Sequence, residues 1–150
     1  MHMTSLAENR KARFEFEILE PFEAGIELLG LEVKAIKTHK MTLEGSYVFP
    51  RKGDFYLVGA TISPYQPNNT PKDYEPMRER KLLLHKKEID YLIGKAATRG
   101  LTILPIRVYN KGSRIKIEIA IARKLKSHDK RDRIKEREDK RKIERTLKEI

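Results

Sequence analysis

The chain predicts a mainly β fold: a small closed barrel with flanking helices, followed by a basic C-terminal tail that is disordered on its own. Three observations carry this expectation. About six or seven short apolar stretches alternate at the two-residue strand period or run between turn residues. One segment of the body, Lys86 to Arg99, repeats at strong helical spacing. The last 28 residues, Arg123 to Ile150, hold 13 Lys/Arg and 7 Asp/Glu, and only Leu125, Ile134, Ile143, Leu147 and Ile150 are large and apolar. That is too little apolar surface for a core, so the domain spans residues 1–122 and the tail 123–150.

The elements follow in order. Phe14-Glu-Phe-Glu-Ile18 alternates as a strand with one buried face. Gly25 and Gly30 bracket a short strand, Ile26 to Leu29, and Leu31 to Lys37 has the spacing of a short basic helix. Tyr47 to Phe49 and Phe55 to Val58 flank the turn Arg51-Lys-Gly-Asp54, and Ala60 to Ile62 extends that sheet. Ser63 to Met77, with four prolines and two asparagines, is a long irregular loop of the kind that often carries function. Leu82 to Leu84 is a short buried strand or the approach to a helix. On the Lys86–Arg99 helix, Ile89, Leu92, Ile93 and Ala96 share a face, and Gly100 stands where a C-terminal cap belongs. Leu101 to Tyr109 and Arg114 to Ala122 form a hairpin around Asn110-Lys-Gly-Ser113. Ile115, Ile117, Ile119 and Ile121 point one way, Lys116 and Glu118 the other, and Pro105 marks an edge or a bulge. Many short strands with little helix favour an OB-like barrel, which offers an open face to nucleic acid.

Charge narrows the function. The 150 residues carry a formal +11 at neutral pH, of which the tail supplies about half, and such a surplus suits a polyanion. There is no cysteine, so disulfides and thiolate zinc sites are excluded. No apolar run approaches the ~18 residues of a membrane span. Met1 to Ser5 lacks the basic and apolar regions of a secretory leader, so the cytoplasm is the expected location.

Signs of chemistry are missing. His2, His39, His85 and His128 have no metal-ligand spacing, there is no phosphate-cradling glycine motif, and no serine sits in a nucleophile elbow. No metal, cofactor or catalytic residue is expected. Basic clusters stand out instead: Asn9-Arg10-Lys11-Ala12-Arg13, Arg78-Glu79-Arg80-Lys81, Lys86-Lys87, and Lys34 with Lys37. Lysine and arginine hold phosphate without reading bases; reading needs groups such as Asn9, Glu23, Glu32 or an exposed aromatic. In the tail, Asp129→Arg133, Glu136→Lys140, Glu138→Lys142 and Glu144→Lys148 are acid-before-base pairs at four-residue spacing. At about 0.2–0.5 kcal/mol each they favour helix against a partner without securing it alone. No sustained heptad points to a coiled coil.

These segments together resemble the SsrA-binding protein (small protein B) family of bacterial trans-translation. The resemblance runs through Asn9-Arg-Lys-Ala-Arg13, Phe22-Glu-Ala-Gly-Ile26, Gly30-Leu-Glu-Val-Lys34, Ile62-Ser-Pro-Tyr65, Arg80-Lys-Leu-Leu-Leu-His-Lys86, Ile93-Gly-Lys95, His128-Asp-Lys-Arg131 and Ile134-Lys-Glu-Arg137. It implies an OB-like barrel that binds the tRNA-like domain of transfer-messenger RNA (tmRNA), and a tail that enters the mRNA channel of a stalled ribosome. The implied partners are tmRNA and small-subunit RNA at the decoding centre, bound by a monomer. The implied tmRNA-facing set is Asn9, Arg10, Lys11, Glu23, Lys34, Arg80, Lys81, Leu83 and Lys116. The implied decoding-site set is His128, Asp129, Lys130, Arg131, Ile134, Lys135 and Arg137. Two departures stand out. Arg123-Lys-Leu-Lys126 replaces a usual Gly-Lys-Lys stretch, and Phe14 and Phe16 stand where histidine and tyrosine are common. On charge alone, a ribosomal protein or general RNA chaperone would look the same, and a small nuclease would differ by turnover.

Overall fold

The computed structural model describes residues 4–148; the expectations for Met1 to Met3 and for Ile150 lie outside them. Strand β1 (Ser5–Glu8) leads into helix α1 (Arg10–Glu15) and the long strand β2 (Phe16–Ile26). Helix α2 (Gly30–Lys37), strand β3 (Met41–Thr42), the hairpin β4 (Tyr47–Arg51) and β5 (Asp54–Val58), and strand β6 (Thr61–Ile62) follow. After a loop with one 3-10 turn come β7 (Arg80–Leu83), α3 (Lys86–Ala96), the hairpin β8 (Leu101–Lys111) and β9 (Arg114–Lys124), and helix α4 (Ser127–Lys148). The chain is mainly β with flanking helices.

Seven strands form one sheet in the order β1-β8-β9-β2-β7-β5-β4, while β3 and β6 pair with each other. The expected closed barrel is corrected here, because no ladder joins the end strands β1 and β4 among the described residues. The sheet curls instead, until Tyr47, Val48 and Phe49 on β4 share a groove with Leu101, Thr102 and Ile103 on β8. Closing a barrel requires tilt and register to agree around the whole ring, which a count of strands does not specify. Thr61–Ile62 likewise leaves the β4–β5 hairpin and pairs with Met41–Thr42.

Local chemistry explains the other shifts. The Asn9 side-chain oxygen accepts from the Ala12 amide at 3.2 Å and caps α1. Phe14 therefore lies on a helix, and the alternating strand starts at Phe16. The strand expected at Ile26 to Leu29 ends at Ile26, because the Leu29 amide donates to Glu32 Oε1 at 2.8 Å and starts α2. The β4–β5 turn falls on Lys52 and Gly53, with φ of 50° and 81°; two left-handed residues give a turn whose twist suits paired strands.

One core fills the curled sheet. Phe55, Leu57, Leu82, Ile103, Val108, Ile117, Ile119 and Ile121 meet Ile36 from α2 and Leu92 from α3 there. Burying each such side chain is worth about 1.5–3 kcal/mol. Ile103 and Val108 both reach this core although they are five residues apart, which plain alternation forbids. The pairing steps from Pro105↔Ile119 to Arg107↔Glu118, so Ile106 is an extra residue. This bulge, where Pro105 signalled one, turns Arg107, Tyr109 and Lys111 to the face opposite the core.

Arg123 and Lys124 complete β9, and among the described residues the rest of the tail is mainly the helix α4, which has no buried residue. The Leu125 amide donates to Glu15 O at 2.9 Å. Arg133 Nη1 donates to the carbonyls of Arg13 at 3.0 Å and Phe16 at 3.2 Å. Helix α4 is thus tied to the C-terminal end of α1, where carbonyls lack intrahelical partners.

Candidate nucleic-acid interface

Three adjacent strands build the body's site. On β2, Gly25 stands opposite Lys116 of β9 and Leu83 of β7. Leu83 is 50% exposed, which is unusual for a leucine next to a core. It borders a groove of about 340 Å³ lined by Gly25, Leu28, Val33, Arg114 and Lys116. A Cβ on Gly25 would sit 3.1 Å from Leu83 Cβ, so glycine keeps the floor open. The groove has an apolar base and a basic rim, a combination that suits an unstacked base with its phosphates.

Two residues earlier, Glu23 projects from β2 beside this groove. It accepts hydrogen bonds from the Tyr109 hydroxyl and from Lys111 Nζ, the latter at 2.9 Å. The Tyr109 hydrogen bond first, and Lys111 next, hold the Glu23 carboxyl below its ordinary range. Burial and the Glu23 hydrogen bond push the Tyr109 phenol up. The Arg107 guanidinium lies 4.5 Å from the Tyr109 ring centre and 3.9 Å from Glu118. Glu23 and Glu118 are cross-strand neighbours, a like-charge pair that Arg107, Lys111 and Lys116 compensate.

The other expected residues divide into two groups. Arg10 and Lys11 are exposed on α1, Lys34 is exposed on α2, and Lys81 on β7 is half-buried at 3.5 Å from Asp54. Asn9 and Arg80 are corrected. Asn9 is 2% exposed, with its amide nitrogen donating to Pro105 O at 2.9 Å in addition to the cap. Arg80 is fully buried; its Nε donates to Glu32 Oε2 at 2.9 Å, and its other nitrogens donate to Ala60 O and Pro76 O at 3.0 Å each. Both side chains are buried and hydrogen-bonded within the protein, not exposed as a phosphate or base contact requires.

The tail's expected residues lie along α4. At about 100° per residue, His128, Arg131 and Lys135 fall on one side. Asp129, Lys130 and Arg137 fall on the side of Arg133, which meets α1. Arg133, Glu136, Arg137 and Lys140 line a groove with Arg10 and Phe14. Ile134 is 41% exposed between the two sides. His128 Nε2 lies 2.9 Å from Asp129 Oδ1.

Sequence reading missed Tyr109, Lys111, Arg107, Arg114 and Arg133. The first three were detectable in principle, because Arg107, Tyr109 and Lys111 alternate on one strand once Ile106 is recognised as extra. Among the described residues no three His, Cys, Asp or Glu gather as a metal site, and no helix is long and apolar enough to cross a membrane.

Comparison with known proteins adds to this geometry. The family model for SmpB protein matches residues 6–149. An SsrA-binding protein of Thermosynechococcus vestitus is 46% identical over 144 residues, 96% of this chain and 95% of that one. An SsrA-binding protein of Microcystis aeruginosa is 46% identical over 143 residues, 95% of this chain and 93% of that one. A solved structure described as "tmRNA-SmpB: a journey to the center of the bacterial ribosome" is similar with a TM-score of 0.66 and 41% identity, covering 80% of this chain and 84% of that chain. The chain belongs to the SmpB protein family.

Proposed function

We propose that this chain is a non-enzymatic, cytoplasmic RNA-binding factor that binds the tRNA-like domain of tmRNA and delivers it to stalled ribosomes for trans-translation. What carries the reading is the site on β2, β7 and β9, where Leu83 and Lys116 line one groove and Glu23 stands two residues along β2 from Gly25, in a chain whose relatives are named SsrA-binding proteins. The curled sheet serves as an OB-like platform. Leu83 and the groove floor receive an unstacked base, Lys116, Arg114, Lys34 and Lys81 attract phosphates, and Arg10 and Lys11 extend the basic surface. The tail beyond β9 acts as a second unit, disordered in the isolated peptide and helical on the ribosome. There His128, Asp129, Lys130, Arg131, Ile134, Lys135 and Arg137 meet decoding-centre and mRNA-channel RNA. Leaving α1 for the ribosome would free Arg133 and Arg137 for phosphate.

A competition gel shift between the tRNA-like domain and an equal-length unrelated RNA tests the reading. Strong preference for the tRNA-like domain supports it, and equal affinity assigns the chain to general RNA chaperones. If about five phosphates are neutralised, log K falls with log salt at a slope of about −4. Truncation after Ala122 leaves most of this affinity. Replacing Asp129, Lys130 and Arg131 together by alanine leaves tmRNA delivery intact but stops tagging; wild-type tagging by that variant would make the tail a nonspecific tether.

A further inference from the structure

We propose that Tyr109 and Lys111 are positioning residues that fix the Glu23 carboxylate in one orientation, so that its free edge reads the N–H donors of an unpaired guanine. This rests on the RNA-binding reading above and adds to it the means of base discrimination. A carboxylate on a surface that attracts phosphate works against binding unless it makes directed hydrogen bonds in return. An exposed glutamate ordinarily samples many rotamers and makes a poor reader. Here the Tyr109 hydroxyl holds Oε2, and Lys111 Nζ holds Oε1 at 2.9 Å.

A carboxylate offers about four lone-pair sites. One internal donor on each oxygen leaves one acceptor site per oxygen, and in the proposed reading mode these two free sites lie side by side on the syn edge. Two parallel N–H donors match that edge, as guanine presents with its ring imino and exocyclic amino groups. A cytosine amino group would satisfy only one oxygen. The surrounding charges keep the edge usable. Lys111 lies against Glu23, and Lys116 stands opposite Tyr109 in the β8–β9 register. Arg107 stacks on the Tyr109 ring and draws off Glu118. The lowered Glu23 titration agrees with this bracket. The device is built by the β8 bulge, since without the extra residue Tyr109 and Lys111 would face the core.

A double-mutant cycle on the full chain tests the proposal. Fluorescence anisotropy is read with a labelled tRNA-like-domain RNA and with an equal-length unrelated RNA. Tyr109→Phe keeps the ring under Arg107 and removes only the hydroxyl. It should cut the preference for the tRNA-like domain about tenfold, the scale of a hydrogen bond to a charged group, and leave the unrelated RNA unchanged. In a Glu23→Ala background the same change should do nothing further. In carbon-detected NMR the Glu23 carboxyl should titrate below the ordinary glutamate range in the parent chain, and closer to it in Tyr109→Phe. Additive losses in the cycle, or an unmoved titration, would overturn the positioning role. A parent chain without preference for the tRNA-like domain would instead sink the functional reading itself.

Discussion

Two carboxylates of this chain are held by the same kinds of group and face opposite fates. Glu32 on α2 takes hydrogen bonds from Tyr74, Arg78 and Arg80, and is fully buried with Arg80. Glu23 on β2 takes them from Tyr109 and Lys111, and its side chain is 37% exposed. Around Glu32 every acceptor position points at protein, so the cluster ties α2, the 63–77 loop and β7 into one body. Glu23 keeps part of its side chain in solvent beside a basic groove. Phenol, cation and carboxylate therefore specify no role alone. Burial does, because an unpaired charge in the interior is intolerable while an ionised edge at the surface is available.

The largest effect is expected where that comparison is broken from the buried side. Glu32→Ala leaves the Arg80 guanidinium without its counter-charge, so unfolding in urea should show a loss of about 3–5 kcal/mol. A loss under about 1 kcal/mol would mean that water or rearrangement rescues Arg80. The pH dependence has a definite sign. Burial raises the Glu32 titration, but the Leu29 amide, Arg78 and Arg80 outweigh it, and the carboxyl titrates below its ordinary 4.5. Its contribution is complete above that ordinary value and is lost as pH falls through the depressed one. The urea midpoint of the parent chain should drop on acidification, with a smaller drop in Glu32→Gln.

Breaking the comparison from the exposed side should reverse the pattern. Glu23→Ala leaves the urea midpoint almost unmoved, since exposed pairs contribute little. The preference for the tRNA-like domain should fall about tenfold, as for a lost hydrogen bond to a charged group. Removing a negative charge should at the same time tighten binding to unrelated RNA, as counterion release dictates. Tighter binding to both RNAs would reduce Glu23 to a surface charge.

Gly25 sharpens the exposed side further, with a smaller effect. A methyl at Gly25 lies 3.1 Å from Leu83 Cβ, so Leu83 must give way by a few tenths of an ångström. Gly25→Ala should narrow the groove and weaken binding of the tRNA-like domain roughly threefold, with little change in stability because Leu83 borders solvent. Unchanged affinity would show that the bound RNA does not use the groove floor.

The sequence makes one half of this comparison readable and hides the other. Period-two isoleucines placed β9, an i, i+3, i+4, i+7 stripe placed α3, and Pro105 announced the bulge, because each signal is local. Glu23 was one of several candidate base readers by residue type and Leu83 came from the family resemblance, yet the donors that clamp Glu23 lie 86 and 88 residues away. Arg80 looked like a phosphate ligand because a cluster of basic residues reads as surface. Its partner Glu32 is 48 residues distant, and only the fold shows that the pair is buried. Asn9 misled similarly, since a helix cap and a base-reading amide have the same composition. Closure of the sheet was out of reach, being a property of register around a whole ring.

Arg133 tests the same rule on the tail, with the smallest expected effect. Its guanidinium makes two hydrogen bonds to the carbonyls of Arg13 and Phe16, as Arg80 does to those of Ala60 and Pro76. Arg133, however, is half-buried, and among the described residues it forms no salt bridge. If burial sets the role, losing Arg133 costs only two partly solvated hydrogen bonds, about 1 kcal/mol or less. That cost falls on docking of α4 and not on the body. Arg133→Ala should speed amide exchange and proteolysis in the first turns of α4 while the urea midpoint of residues 1–122 stays put. Arg133→Lys should not restore protection, because one ammonium lacks the planar fork that bridges two carbonyls. A drop in body stability as large as that of Glu32→Ala would show that α4 belongs to the fold, and that the tail is no separate unit.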